Sequence, residues 1–227
     1  MKVICDGNIN RFYVQTLCLL FFPGAKFAEN EEVSEETPVV YVKTVESEQE
    51  VYAFASITIG SQHTESEDVE TYRSDITHAR SSKIAIGIAF FRAGEAFFGY
   101  TPSWGILTGV RPAKIAAEML HMGNDYNTIR QRLTKEYFLN PKKALVCADI
   151  VVNEDRIIAS LPERSCSLYI SIPFCPTRCA YCSFVSYATP RLLSMIPEYL
   201  ERLLFDINCV LDEIKAQNLR VITVYIG

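Results

Sequence analysis

The stretch FCPTRCAYCSF, Phe174 to Phe184, decides how this 227-residue chain is read. It follows a strand-like run, Ser167 to Ile172, and carries Cys175, Cys179 and Cys182 in C-x3-C-x2-C spacing. That spacing puts three thiolates on one loop, enough for three irons of a [4Fe–4S] cube, and leaves the last iron open to a small molecule. An open iron can bind and reduce a ligand, whereas a cluster with four protein ligands mainly passes electrons. Zinc is the competing reading. It takes four ligands, typically as paired C-x2-C or H-x3-H elements, and His63, His78 and His121 lie far upstream without such spacing. Those histidines read as surface or locally satisfied residues.

With Tyr181 directly before the third cysteine, the pattern resembles the radical S-adenosylmethionine (SAM) superfamily. The longer string LYISIPFCPTRCAYCSFV, Leu168 to Val185, resembles the oxygen-independent coproporphyrinogen III oxidase (coproporphyrinogen dehydrogenase) family. WGILTGVRPAK, Trp104 to Lys114, resembles its HemZ-like branch, which has an extra N-terminal domain. The resemblance covers nearly the whole chain, but only the cysteine segment carries known chemistry.

It implies that Cys175, Cys179 and Cys182 hold a [4Fe–4S] cluster whose open iron chelates SAM. One electron passed to the sulfonium then yields a 5′-deoxyadenosyl radical. The implied reaction converts coproporphyrinogen III to protoporphyrinogen IX without oxygen, turning two propionates into vinyl groups with loss of carbon dioxide. An unidentified electron donor is implied as a partner. Tyr169, six residues before Cys175, takes the position of a tyrosine beside the bound SAM, although an ordinary strand aromatic accounts for it nearly as well. Tyr181 lies beside cluster and cofactor. Gly227 matches the first glycine of a segment that lets the backbone approach SAM. Ile172, Pro173, Phe174 and Phe184 are read as an apolar wall that keeps water off the cluster, and Arg178 as a solvated loop charge.

Two departures weaken the transfer of porphyrinogen decarboxylation. Phe184 stands where the best-known oxidases add a fourth cysteine, as in the related haem-chaperone branch, and Ser171 stands where many members carry a histidine. A haem-handling chaperone is therefore the rival reading, and a radical SAM enzyme acting on another substrate is a third.

Composition agrees with this frame. The net charge of −5 and pI of about 5.3 give no broad attraction to nucleic acid or anionic lipid. Eight cysteines in a chain of this size, three in a metal-type motif, point to a reducing cytoplasm. The other five, Cys5, Cys18, Cys147, Cys166 and Cys209, are expected mostly as buried hydrophobes. Phe12 to Phe22 is apolar but too short to span a bilayer. Acidic runs at Glu29–Glu36 and around Glu65–Glu70 read as two solvated loops.

The first 160 residues are expected to form an α+β domain of unknown role. Its elements are a strand at Lys2–Cys5, a helix from Asn10 to Phe22, and a hairpin of Val39–Val45 with Val51–Ile59. Helices follow at Ser82–Phe98, from Arg111-Pro112 to Met122, at Asn124–Phe138, and from Pro141 to about Ser160. In the Trp104–Lys114 stretch, a tight turn with solvated Arg111 and Lys114 is preferred over pairing of those cations with propionates. Leu161-Pro162 reads as the linker. Residues 161–227 then give a strand, the cysteine loop, a helix at Ile196–Ala216 and a strand at Val221–Ile226. That is the first β-loop-α-β unit of a TIM-like α/β radical SAM barrel. The chain is thus expected to be an N-terminal fragment, inactive alone.

Overall fold

The computed structural model describes residues 1–27, 34, 36–109, 111–177, 179, 182 and 184–227. It forms two compact units, Met1–Arg156 and Ile157–Gly227. Both mix helix and sheet.

Strand β1 (Lys2–Asp6) leads into helix α1 (Arg11–Cys18), where the Asn10 side chain accepts the Tyr13 N–H at 3.1 Å and caps the first turn. The helix ends at Cys18, one turn short of the expected Phe22, and the chain tightens through Leu19–Gly24 toward Pro23. Strands β2 (Val39–Glu46) and β3 (Glu50–Ile59) form the expected antiparallel hairpin, with the Ser47 hydroxyl accepting the Gln49 and Glu50 N–H groups at its turn. β1 runs parallel to β2, which makes the sheet mixed.

The second acidic run is a strand, not a loop. Gln62–Thr71 forms β4, antiparallel to β3 across the two-residue turn Gly60-Ser61, with Gly60 in the left-handed region at φ 58°. Along β4 the side chains at 63, 65, 67 and 69 are exposed, while Thr64, Ser66, Asp68 and Glu70 are partly covered. A charged edge strand of this kind resists pairing with another chain. The first acidic run lies outside the described residues apart from Ser34 and Glu36, which are exposed.

One face of this sheet is apolar: Val40 and Val42 of β2 and Val51, Ala53, Ala55 and Ile57 of β3 have no exposed surface. Helix α2 (His78–Phe98) covers it, starting at the Thr77 cap and ending at left-handed Gly99. Ile84 to Phe91 and Ala93 of α2 are buried, as expected for a helix apolar on most sides. Gly94 allows close approach, since a Cβ there would fall 2.2 Å from the Phe21 ring. Phe21 in turn meets Phe90, Phe91 and Phe98.

Helices α3 (Ala113–His121), α4 (Tyr126–Lys135, capped by Asp125) and α5 (Pro141–Ala159) bury Ala116, Met119, Ile129, Leu133, Ala144, Cys147 and Val151. No helix among the described residues is long and apolar enough to cross a membrane.

The second unit contains β5 (Ser165–Ile170), the short helix α6 (Pro190–Leu193), α7 (Ile196–Ala216) and β6 (Arg220–Ile226). β5 and β6 pair in parallel, shifted at Cys166/Ser167. Parallel neighbours need a crossover between them, and the loop with α6 and α7 supplies it.

Candidate functional site

The cysteine loop grows from the end of β5, and backbone hydrogen bonds fix both its ends. The Gly227 N–H donates to the Ile170 carbonyl at 3.0 Å, and the Ile172 N–H to the Gly227 carbonyl at 2.9 Å, so the β5–β6 pairing runs to the first residues of the loop. Thirteen residues apart, Phe174 and Tyr187 form an isolated bridge. There the Tyr187 N–H donates to the Pro173 carbonyl at 2.7 Å and the Cys175 N–H to the Tyr187 carbonyl at 3.3 Å. The loop is therefore cinched at its base.

Aromatic rings brace that base. Phe174 meets Tyr187 edgewise at 5.7 Å between centroids and Tyr199 of α7 at 5.0 Å. The Tyr199 hydroxyl donates to the Ser171 carbonyl, tying α7 to the residue just after β5. Tyr187 and Tyr199 were not singled out by sequence reasoning. Their only signal was an aromatic in the segment joining the cysteines to α7 and another in the first turn of α7. A pocket of about 390 Å³ lined by Phe174, Tyr187, Met195 and Tyr199 lies against this base.

All three motif cysteines sit on this one loop. Cys175 and Cys182 are partly covered and Cys179 is exposed, with the Cys182 N–H donating to the Cys179 carbonyl at 3.0 Å across a turn. Among the described residues, no group of three His, Cys, Asp or Glu side chains is gathered as a metal site, and no cysteine is disulfide-bonded. As a donor set, three thiols on one tethered loop suit iron–sulfur ligation better than oxygen-seeking cations.

Tyr169 projects from β5, 59% exposed, and stacks on Tyr225 of β6. Tyr181 and Arg178 lie outside the described residues. Gly227 is close to the Tyr169 hydroxyl, which donates to its carbonyl at 3.4 Å. Of the expected apolar wall, Phe174 is packed, whereas Ile172 (40%) and Phe184 (78%) are exposed.

The remaining cysteines divide. Burial pushes the Cys18 thiol up to about 12, helped by Cys5, and burial also raises Cys5 and Cys147. Such thiols stay protonated and inert. The expectation of buried hydrophobes holds for Cys18 and Cys147 but not for Cys209, which is exposed on α7, nor for Cys5 and Cys166, which are half-buried. In β5 and α7 no residue is buried, so apolar sequence context there did not translate into burial.

The histidines are locally engaged. His63 bonds Thr58 at 2.8 Å, His78 stacks on Tyr72, and His121 lies 3.7 Å from Asp155. Around Trp104 the chain makes a turn in which the Ile106 N–H donates to the Tyr137 carbonyl, Lys143 caps the indole face at 4.9 Å, and Arg111 and Lys114 are exposed.

Comparison with known proteins gives two relatives. The chain is 33% identical over 150 residues to the oxygen-independent coproporphyrinogen-III oxidase-like protein HemZ of Bacillus subtilis (strain 168), covering 64% of this chain and 29% of that protein. It is 43% identical over 63 residues to the heme chaperone HemW of Buchnera aphidicola subsp. Acyrthosiphon pisum (strain APS), covering 27% of this chain and 15% of that protein. The chain thus spans less than a third of either relative's own length. No family model matches it. No solved structure matches it either.

Proposed function

We propose that the chain, which is similar to radical SAM coproporphyrinogen oxidase-like proteins, carries the cluster-binding end of an enzyme that decarboxylates coproporphyrinogen III to protoporphyrinogen IX without oxygen. The observation that carries this reading is the tethered loop of Cys175, Cys179 and Cys182, following a strand of a parallel pair. Those three thiolates would hold the [4Fe–4S] cluster. When bound, the cluster and SAM would supply the one-electron chemistry that oxidises a propionate side chain.

This chain's own residues hold that site. The bridge between Phe174 and Tyr187 fixes the loop's two ends, so the thiols are presented from a closed turn. Phe174, Tyr187 and Tyr199 pack edge to face at the base of the loop and brace it. Tyr169 and Gly227, joined by a hydrogen bond at the ends of β5 and β6, are assigned to the SAM side, with Tyr181. Residues that recognise the porphyrinogen are assigned to the longer protein.

A second reading, transfer of haem without decarboxylation, is favoured by one residue. Phe184 replaces the fourth cysteine, and a relative over 63 residues carries the name of a heme chaperone. Anaerobic incubation of the complete polypeptide with iron, sulfide, SAM, reductant and coproporphyrinogen III separates the two. Formation of 5′-deoxyadenosine together with stepwise release of carbon dioxide supports the oxidase. Stable haem binding without decarboxylation supports the chaperone and defeats the first reading.

A further inference from the structure

A pocket of about 260 Å³ opens in the first unit between α1, the first half of α2 and the turn after Trp104. It is smaller than the usual site for a drug-sized ligand, so only a small molecule would fit. Its lining is not that of a plain core gap. Tyr137 is only 3% exposed, and its hydroxyl has no hydrogen-bond partner among the described residues. A buried O–H without a partner is costly, and in native proteins such a group calls for an explanation.

The neighbouring polar groups are already engaged. The Tyr13 hydroxyl donates to the Lys83 carbonyl at 2.9 Å, and Arg80 pairs with Glu118 at 2.6 Å. The Lys83 ammonium stands 5.8 Å from the Tyr13 ring centroid and makes no ion pair among the described residues. Burial raises the Tyr137 phenol, the charge of Arg80 next in weight opposing it and that of Glu136 adding to it. Burial also raises Tyr13, followed by the influence of Tyr137. Both phenols therefore remain protonated donors at neutral pH.

A ligand for this lining needs an acceptor for the Tyr137 O–H, negative charge for the Lys83 ammonium, and an apolar remainder for Ile84, Ile106 and Ile115. We propose that this pocket binds a small organic carboxylate, the Tyr137 hydroxyl donating to one carboxylate oxygen while the unpaired Lys83 ammonium supplies the opposing charge. A charged acceptor makes that hydrogen bond stronger than a neutral one would. Every residue involved belongs to the first unit, so the site stands or falls independently of the cluster.

The probe is hexanoate titrated into the 227-residue chain by calorimetry, with neutral hexanamide as the isosteric control. Hexanoate is expected to bind saturably and hexanamide about tenfold more weakly. Tyr137→Phe removes only the unpartnered hydroxyl, so it is expected to melt at or above the wild-type temperature while weakening hexanoate about tenfold. Lys83→Met is expected to weaken hexanoate about fivefold and leave hexanamide unchanged. Absence of saturable hexanoate binding, equal affinity for the amide, or unchanged binding in well-folded Tyr137→Phe would each overturn the proposal.

Discussion

Tyr169 of β5 and Tyr225 of β6 are register partners whose rings stack, 5.2 Å between centroids and 21° between planes. The pair sits at the strand ends that lead into the cysteine loop and Gly227, and Tyr169 also reaches the Gly227 carbonyl. A strand aromatic with no further role would contribute about 0.5–1.5 kcal/mol through the stack alone.

If Tyr169 also shapes the SAM site, Tyr169→Ala should weaken SAM binding to the reconstituted protein about tenfold with iron content unchanged, while Tyr169→Phe, which keeps the ring, should bind nearly as well as wild type. Equilibrium dialysis with labelled SAM measures this. Equal affinity in all three proteins would leave Tyr169 as a strand aromatic only.

Gly105 should tolerate no side chain. Its φ is 57°, and a Cβ there would lie 2.0 Å from the Tyr137 carbonyl oxygen and 2.5 Å from the Phe138 carbonyl carbon, both backbone atoms that cannot rotate away. Gly105→Ala is expected to cost about 3 kcal/mol in urea unfolding, from strain and overpacking together. A loss below about 0.5 kcal/mol would mean that this turn is much looser than described.

Arg132 anchors a partly buried charge cluster, bonding Asp75 at 2.7 Å and Glu136 at 2.9 Å, with Arg73 also on Glu136 at 3.0 Å. Burial pushes the Asp75 and Glu136 carboxyls up, but the hydrogen bonds and charges of the two arginines outweigh it and hold both below their ordinary values. The native state therefore binds fewer protons at these sites than the unfolded chain. Their contribution is present above about pH 4–5 and is lost as pH falls through the depressed values. Asp68 and Glu70 are raised by burial and work in the opposite sense, losing stability as pH rises through their range. Arg132→Met should lower stability by about 1 kcal/mol at pH 7, with Asp75 discounted for its solvent exposure, and should flatten the acid-side decline. Parallel pH profiles for wild type and variant would contradict this assignment.

Much of the first unit was legible because its signals are local. Pro141 opens α5 as expected, and the apolar run from Ile84 to Phe91 accounts for the central helix, although that helix starts at the Thr77 cap, ahead of the expected Ser82. β4 was missed because charge was taken for loop. The pattern that identifies it, alternating partners across Gly60-Ser61, belongs to an edge strand with one face in water, where polar residues satisfy the pairing. In the second unit, α7 matches the expected Ile196–Ala216 and the cysteines share a loop. The bracing by Tyr187 and Tyr199 depends on contacts across more than ten residues, which no local spacing encodes. The orphan hydroxyl of Tyr137 is likewise a product of packing, invisible in sequence.

The most direct measurement is iron and sulfide content after oxygen-free reconstitution of the complete polypeptide, beside the Cys175→Ala, Cys179→Ala and Cys182→Ala variants. A three-thiolate loop predicts about four irons and four sulfides per chain in wild type, sharply reduced loading in each variant, and unchanged loading in Cys18→Ser and Cys209→Ser. Uptake of zinc in place of iron, or full iron loading without these three thiols, would contradict it.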